Sequence, residues 1–106
     1  MLELKTSEDF EAFVKKHPIC VIDFGASWCG PCQRVKPFFE ALAERYPKAA
    51  FAKVDVDEDL ISSVVSELVG NGIPHFTVLK DAIVVDEMTG ANTKDLEAMV
   101  ERACRK

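Results

Sequence analysis

Apolar residues recur at three- and four-residue intervals in four segments of the chain, a spacing that places them on one face of a helix. In chain order these residues are Phe10, Phe13 and Val14; Val35, Phe38, Phe39, Leu42 and Tyr46; Leu60, Ile61, Val64, Val65 and Leu68; and Leu96, Met99, Val100 and Ala103. A Thr6–Asp9 capping box precedes the first segment, and Asn92 is a capping residue before the last. The pattern therefore predicts four helices.

Four other segments are typical of β-strands. Residues 19–25 and 50–56 are almost unbroken apolar runs, which suits central strands covered on both faces. Each run is followed by a predicted helix, so the two strands should be parallel with a right-handed crossover. Residues 75–80 and 83–88 are separated by only two residues, which requires an antiparallel hairpin. After the first helix, the predicted order of elements is βαβαββα. This order predicts an α/β fold with a mixed sheet and helices on both faces.

The composition favours a single domain, residues 1–106, that does not bind polyanions. A length of 106 residues and a hydrophobic fraction of 48% suffice for one core. Acidic residues outnumber basic ones by 18 to 13 and the formal charge is −5, so neither nucleic acid nor a membrane surface is an expected partner. The first residues lack the apolar run of a signal peptide or membrane span. We expect a cytoplasmic protein, with an organelle whose targeting peptide has been removed as the alternative.

Four cysteines, Cys20, Cys29, Cys32 and Cys104, provide the candidate chemistry. Their uneven spacing favours reduced thiols over a disulfide scaffold. A zinc site at the Cys29–Cys32 pair would need a second pair, but an extended strand of about 20 Å, at roughly 3.3 Å per residue, separates it from His17 and Cys20. No metal is therefore expected. A structural cross-link would close too small a loop to stabilise much, which favours a reversible redox pair.

The neighbours of this pair support the redox interpretation. Cys29 precedes the second predicted helix, where free N–H groups and the helix dipole favour thiolate over thiol. Pro31 suits the first helical turn and stiffens the link between the two sulfurs, while Gly30 leaves room for a substrate.

A buried acid is the second indication of redox chemistry. Asp23 interrupts an apolar strand, so lost hydration should raise its pKa towards neutrality. The helix that follows should fold back over this strand and place the carboxyl below Cys32, directly or through one water. The simpler alternative is an acid paired with Lys53 on the neighbouring strand. The two interpretations are compatible, because an ion pair would both tune the acid and hold it in place.

Five short segments together resemble the thioredoxin family, in order and over nearly the whole chain. They are Val21-Ile22-Asp23-Phe24, Trp28-Cys29-Gly30-Pro31-Cys32, Lys53-Val54-Asp55-Val56-Asp57, Gly72-Ile73-Pro74 and Thr89-Gly90-Ala91. The resemblance implies the thioredoxin fold, with a mixed central sheet of about five strands flanked by four helices. It also implies a protein-disulfide reductase, that is, a thiol:disulfide oxidoreductase that acts by dithiol–disulfide exchange.

The resemblance also implies a role for each matched residue. Cys29 would be the exposed nucleophile that attacks a substrate disulfide, and Cys32, more buried, would resolve the mixed disulfide. Asp23 would accept the proton of Cys32, with Lys53 as its modulator. The other matched residues are Gly30 and Pro31, which would tune the pair, and Trp28, Ile73, Pro74, Gly90 and Ala91, which would form a shallow substrate groove. Pro74 matches a cis-proline of the family.

By the same resemblance the protein needs no bound cofactor and receives electrons from a separate NADPH-dependent thioredoxin reductase. Its substrates would be disulfide-containing proteins, and we expect a monomer. An oxidant or isomerase is the nearest alternative, disfavoured by the Gly30-Pro31 pair and by the lack of a signal peptide. An alternative of another class is an interaction module that keeps the fold and binds a partner without turnover.

Three residues have no assigned role in this scheme. His75 stands where a small hydroxyl residue is expected, and it either alters the thiol chemistry or is an ordinary strand residue that points elsewhere. Cys20 is expected to fill space in the central strand. Cys104 is expected to be a solvent-facing free thiol near the end of the last helix.

Overall fold

The computed structural model describes residues 1–105. Helices and strands alternate along this part of the chain except for two consecutive strands before the last helix, and their type and order agree with the sequence pattern. The elements are α1 (Ser7–Lys16), β1 (Ile19–Gly25), α2 (Gly30–Arg45), β2 (Ala50–Asp55), α3 (Ser62–Leu68), β3 (His75–Lys80), β4 (Ile83–Thr89) and α4 (Thr93–Cys104). The predicted caps are present, since Thr6 and Asp9 form a capping box on α1 and Asn92 accepts a hydrogen bond at the start of α4.

The strands form one mixed sheet in the order β2-β1-β3-β4. β1 pairs in parallel with β2 and antiparallel with β3, and β3 and β4 form the predicted hairpin. The expected count of about five strands is too high, because the sheet has four strands within residues 1–105. The segment nearest to a fifth strand contains Glu3, which makes only an isolated parallel bridge to Lys53. One bridge is too short to count as a strand.

Each face of the sheet carries its own apolar layer. Side chains alternate between the faces along β1, so Ile22 packs towards α1 and α3 whereas Val21 packs towards α2 and α4. Asp23, two residues after Val21, therefore faces the α2 side. Because β1 is central and α2 starts just beyond its end, the sheet places Asp23 beneath the first turn of α2.

The helix predicted around Leu60 differs from expectation at its start. A 3₁₀ turn, Asp59–Ile61, leads into α3, which begins only at Ser62. Leu60 is 69% exposed, while Ile61 is fully buried. The tighter turn rotates Leu60 away from the core, so Leu60 is not part of the apolar face that the spacing predicted.

The hairpin turn between β3 and β4 offers a stability test. Asp81 and Ala82 have φ values of 52° and 67°, a left-handed region in which the Cβ of alanine is crowded. Because glycine avoids that crowding, we expect Ala82→Gly to raise the free energy of unfolding by about 0.5–1 kcal/mol. Urea denaturation measures the change. Ala12→Gly, at an exposed position in α1, is the matched control and should lower stability by roughly 1 kcal/mol. Equal losses in the two variants would contradict the prediction.

Candidate active site

Cys29 and Cys32 are joined by a disulfide at the start of α2, with their Cα atoms 5.2 Å apart. Cys29 is the N-cap residue, and its Sγ accepts a hydrogen bond of 3.2 Å from the backbone N–H of Cys32. Pro31 lies in the first turn, as predicted, and Gly30 is the first helical residue. A sulfur in this position is close to unpaired N–H groups at the positive end of the helix, which favours its anionic form.

The two sulfurs differ in their surroundings rather than in their exposure. Cys29 is 5% exposed and Cys32 is 6% exposed, so the expected contrast between an exposed and a more buried cysteine is absent in this disulfide form. The disulfide holds both side chains against Ala26 and Ile73. Cys32, but not Cys29, lines a cavity that also contains Asp23. The asymmetry of the pair therefore lies in access to this acid.

That cavity has a volume of about 310 Å³, large enough for several water molecules. Asp23 lines it, and its Oδ1 atom is buried with no hydrogen-bond partner within residues 1–105. Burial raises the pKa of Asp23 from 3.8 to about 7, although the charge of Lys53 acts in the opposite direction. Asp23 can therefore exchange a proton near neutral pH, as its place in the apolar strand predicted.

Gly25 allows Cys32 to lie this close to the strand. A Cβ atom on Gly25 would lie 3.3 Å from both the Cβ and the Sγ of Cys32, and 3.8 Å from Oδ1 of Asp23. Any side chain there would crowd the space between the sulfur and the carboxyl. The sequence pattern by itself assigns Gly25 no role, although a glycine that ends a buried strand just before the cysteine pair is a signal of close backbone approach.

Lys53 lies directly opposite Asp23 in the β1–β2 ladder, as the predicted parallel pairing requires. The expected ion pair is absent, because Nζ of Lys53 lies more than 4.0 Å from the carboxylate oxygens of Asp23 in the described part of the chain. Both residues line the cavity. Lys53 therefore acts on the acid through its charge rather than through an ion-pair contact.

The remaining predicted site residues, apart from Ala91, lie on loops near the disulfide. Trp28 is 70% exposed, and its Nε1 donates a hydrogen bond of 2.7 Å to Oδ2 of Asp57. The Ile73–Pro74 peptide bond is cis, and the N–H of Gly90 donates to the carbonyl of Pro74 over 2.8 Å. This bond ties the loop before β3 to the loop after β4.

Ala91, unlike Ile73, does not pack against the disulfide. Ala91 is half-buried and packs against the apolar layer of α2 and α4. Asp57 belongs to one of the segments that resemble the family, but its residue type and position alone predict no role at the site. Its hydrogen bond to the indole of Trp28 is a contact across 29 residues that spacing alone does not reveal.

His75 follows Pro74 but points away from the cysteine pair. Its ring is 6.1 Å from that of Phe24, on the α1 and α3 side of the sheet, whereas Asp23 faces α2. His75 is only 4% exposed, and its Nδ1 lies 2.9 Å from Oγ1 of Thr89. Its Nε2 is 3.2 Å from Oε1 of Glu87 but lacks hydrogen-bond geometry. The structure agrees with the interpretation of His75 as a strand residue that points elsewhere.

The two other cysteines are not part of the site. Cys20 is fully buried, as expected, and burial raises its pKa to about 11, so it is an inert thiol near neutral pH. Cys104 is half-buried against the apolar layer of α2 and α4, which corrects the expectation of a solvent-facing thiol. Burial also raises the pKa of Cys104.

Two classes of site are not found in the residues that the structure describes. No group of three or more histidine, cysteine, aspartate or glutamate side chains has the arrangement of a metal site between residues 1 and 105. In the same range, no helix is both long enough and apolar enough to cross a membrane.

The four-stranded mixed sheet with flanking helices and a Cys-X-X-Cys disulfide at a helix start define a thiol:disulfide oxidoreductase. The family model described as "Thioredoxin" matches residues 1–102. Thioredoxin 1 of Plasmodium falciparum is 37% identical over 103 residues, which cover 96% of this chain and 97% of that protein. Thioredoxin of Equus caballus is 42% identical over 83 residues, covering 78% and 77% respectively. The chain belongs to the thioredoxin family.

Solved structures agree with this assignment. The structure of Plasmodium falciparum thioredoxin matches with a TM-score of 0.91 and 34% identity, covering 96% of this chain and 98% of that one. Fasciola hepatica thioredoxin matches with a TM-score of 0.90 and 36% identity, with coverage of 97% and 99%. The expected thioredoxin fold and the expected reduction of disulfides by dithiol exchange are therefore confirmed. The family works with a thioredoxin reductase and with disulfide substrates.

Proposed function

We propose that Cys29 is the attacking sulfur and Cys32 the resolving sulfur. The Cys29 thiolate attacks one sulfur of a substrate disulfide, which forms a mixed disulfide and releases one substrate thiolate. Cys32 then attacks Sγ of Cys29, which closes the Cys29–Cys32 disulfide and releases the second substrate thiolate. Two electrons pass to the substrate, and its two thiolates take up protons from water or from the protein.

The observation that carries this order is the different setting of the two sulfurs. Sγ of Cys29 accepts the N–H of Cys32 at the N-terminus of α2, which favours a thiolate ready to attack. Cys32 lines the cavity that contains Asp23. We propose that Asp23 accepts the proton of Cys32 in the second step and that Lys53 modulates this acid. Gly30 and Pro31 maintain the helix start that holds both sulfurs in place.

We further propose that Trp28, Ile73, Pro74, Gly90 and Ala91 form the surface that receives the substrate. The support for this surface is the exposure of the indole of Trp28 and the packing of Ile73 against the cluster formed by Ala26 and the two cysteines. The bond from Gly90 to Pro74 holds the two loops together, so that one substrate segment can contact both. Ala91 contributes from the edge of this surface, since it packs towards α4.

For the wider role we propose a monomeric, single-domain protein, residues 1–106, in the cytoplasm. Free thiols at Cys20 and Cys104 suit a reducing compartment. We propose that the protein uses no bound cofactor and that another protein reduces its Cys29–Cys32 disulfide, with an NADPH-dependent thioredoxin reductase as the donor that the family assignment favours. Its substrates are disulfide-containing proteins.

Trapping of the mixed disulfide tests the order of attack. Reduced Cys32→Ser, incubated with insulin, should accumulate a covalent complex through Cys29, because no second sulfur remains to resolve it. Reduced Cys29→Ser should trap much less, because Cys32 lacks the capping position. Non-reducing electrophoresis with mass spectrometry of the linked peptides measures both. If the Cys29→Ser variant traps insulin as well as the Cys32→Ser variant does, the proposed order is wrong. If the wild type does not reduce insulin in dithiothreitol, the binding-module alternative is supported instead.

A further inference from the structure

Three charged residues form a row across the edge of the sheet next to the active-site cavity. In the ladders, Asp23 on β1 is opposite Lys53 on β2, and Lys53 is opposite Glu3 in the N-terminal segment. Residues opposite one another in a ladder point to the same face of a sheet. All three side chains therefore face α2, and all three line the 310 Å³ cavity.

The backbone holds this row in register. The N–H of Leu4 donates to the carbonyl of Lys53 over 2.9 Å, and the N–H of Lys53 donates to the carbonyl of Leu2, also over 2.9 Å. Leu4 is buried in the layer of α1 and α3, which anchors the segment. Glu3, between Leu2 and Leu4, is therefore fixed beside Lys53, and its position does not depend on the long side chain of either residue.

We propose that Glu3 is a positioning residue for Lys53: its carboxylate draws the ammonium towards the outer edge of the cavity and so keeps that charge from acting fully on Asp23. The proposal rests on the proposed function, in which Asp23 accepts the proton of Cys32. With Glu3 in place, Asp23 is a stronger base than it would be beside an unshared lysine.

Distances and charges support this division of Lys53 between two acids. Lys53 is the middle member of the row, and in the described residues its Nζ atom lies more than 4.0 Å from the carboxylate oxygens of both Asp23 and Glu3, so it is not locked in an ion pair with either acid. Its charge nevertheless lowers the pKa of Asp23, against the larger effect of burial. A carboxylate on the far side of Lys53 weakens this influence because it attracts the ammonium outwards, away from Asp23.

The other charged groups around Asp23 come from α2 and from the end of β2. Lys36, one turn after Cys32 in α2, lines the cavity but is exposed. Asp55 lines it from β2, and its Oδ1 accepts the N–H of Asp57 over 2.9 Å. The carboxylate of Asp55 is engaged by its own loop, so Glu3 is the acid whose ladder position places it next to Lys53.

Substitution of Glu3 by glutamine tests the proposal, because the amide keeps the shape and removes the charge. In the oxidised protein, we expect Glu3→Gln to lower the pH midpoint for Asp23 by about half a pH unit, a size typical of one charge–charge interaction in largely aqueous surroundings. Carboxyl-carbon NMR measures this midpoint without reference to turnover. Glu8→Gln, an exposed acid in α1 that does not line the cavity, is the matched control and should leave the midpoint unchanged.

A double-mutant cycle tests whether Glu3 changes the Asp23 midpoint through Lys53. In a Lys53→Met background, Glu3→Gln should shift the Asp23 midpoint by much less, because the positioned group is gone. An unchanged midpoint in Glu3→Gln overturns the proposal. An equal shift in both backgrounds also overturns it, since Glu3 would then act directly or through Lys36. The pH dependence of insulin reduction tests the proposed function separately. If Glu3→Gln shifts the NMR midpoint of Asp23 but leaves the acidic side of the pH–rate profile for insulin reduction unchanged, Asp23 is not the proton acceptor.

Discussion

Reduction of insulin should fall to the uncatalysed background when Cys29 is replaced by serine, a loss of at least about 1,000-fold. The serine hydroxyl can still accept the N–H of Cys32, so the helix start is preserved. It is not ionised near neutral pH and cannot form a disulfide, so neither the attack nor the closing step is available. The initial rate of reduction in the presence of dithiothreitol measures the loss.

The two other cysteines supply the controls for this experiment. Cys104→Ser and Cys20→Ala should retain wild-type rates, because neither side chain contacts the disulfide. Cys20→Ala is expected to lower stability by about 1 kcal/mol through loss of the buried sulfur, which a melting curve separates from any effect on rate. A Cys29→Ser variant that retains a tenth of the wild-type rate would show that another thiol carries the reaction.

The fold could be predicted from the sequence because its local signals and its topology agree. Two residues between β3 and β4 leave no connection other than a hairpin, and the helices after β1 and β2 require parallel strands. From that pairing alone, Asp23 and Lys53 fall on neighbouring strands. The raised pKa of Asp23 follows equally directly, since a carboxyl in an apolar central strand loses its hydration.

What the sequence did not reveal depends on contacts between distant segments. Glu3 is one of many acidic residues until the bridge to Lys53 places it beside the cavity. Cys104 was expected to be exposed because it lies near the chain end, yet Lys48 donates a hydrogen bond to its carbonyl over 3.3 Å and the thiol is half-buried. The nearly equal burial of Cys29 and Cys32 in the disulfide form is a tertiary feature that a sequence does not display.

Asp23→Asn should make the oxidised protein more stable at neutral and alkaline pH. The pKa of Asp23 is about 7 in the folded protein, above its ordinary 3.8. Between these values the folded state binds one more proton than the unfolded state, so the free energy of unfolding falls as pH rises from about 4 to about 7. Asparagine has no proton to lose. We expect the variant to gain up to about 4 kcal/mol at pH 8, since one pKa unit corresponds to about 1.4 kcal/mol.

Urea denaturation at several pH values tests this gain, with Asp59→Asn as the control. Asp59 is exposed at the start of the 3₁₀ turn, so its substitution should change the unfolding free energy by less than about 0.5 kcal/mol at any pH. The difference between wild type and Asp23→Asn should vanish near pH 4, where the native carboxyl is protonated and therefore neutral like the amide. A gain that is the same at pH 4 and pH 8 would mean that the ionisation of Asp23 is not its cause.

The same substitution should slow the reaction in a way that depends on pH. Without an acceptor, Cys32 must ionise unaided, and a thiol of ordinary pKa near 8.5 is only about 3% ionised at pH 7, so the rate should fall there by up to about 30-fold. Above about pH 9 the thiol ionises by itself and the two rates should converge. A constant ratio from pH 6 to pH 9.5 would contradict the role of Asp23 as proton acceptor. If the prediction holds, the carboxyl that destabilises the fold above pH 7 is retained because the closing step requires a base beneath Cys32.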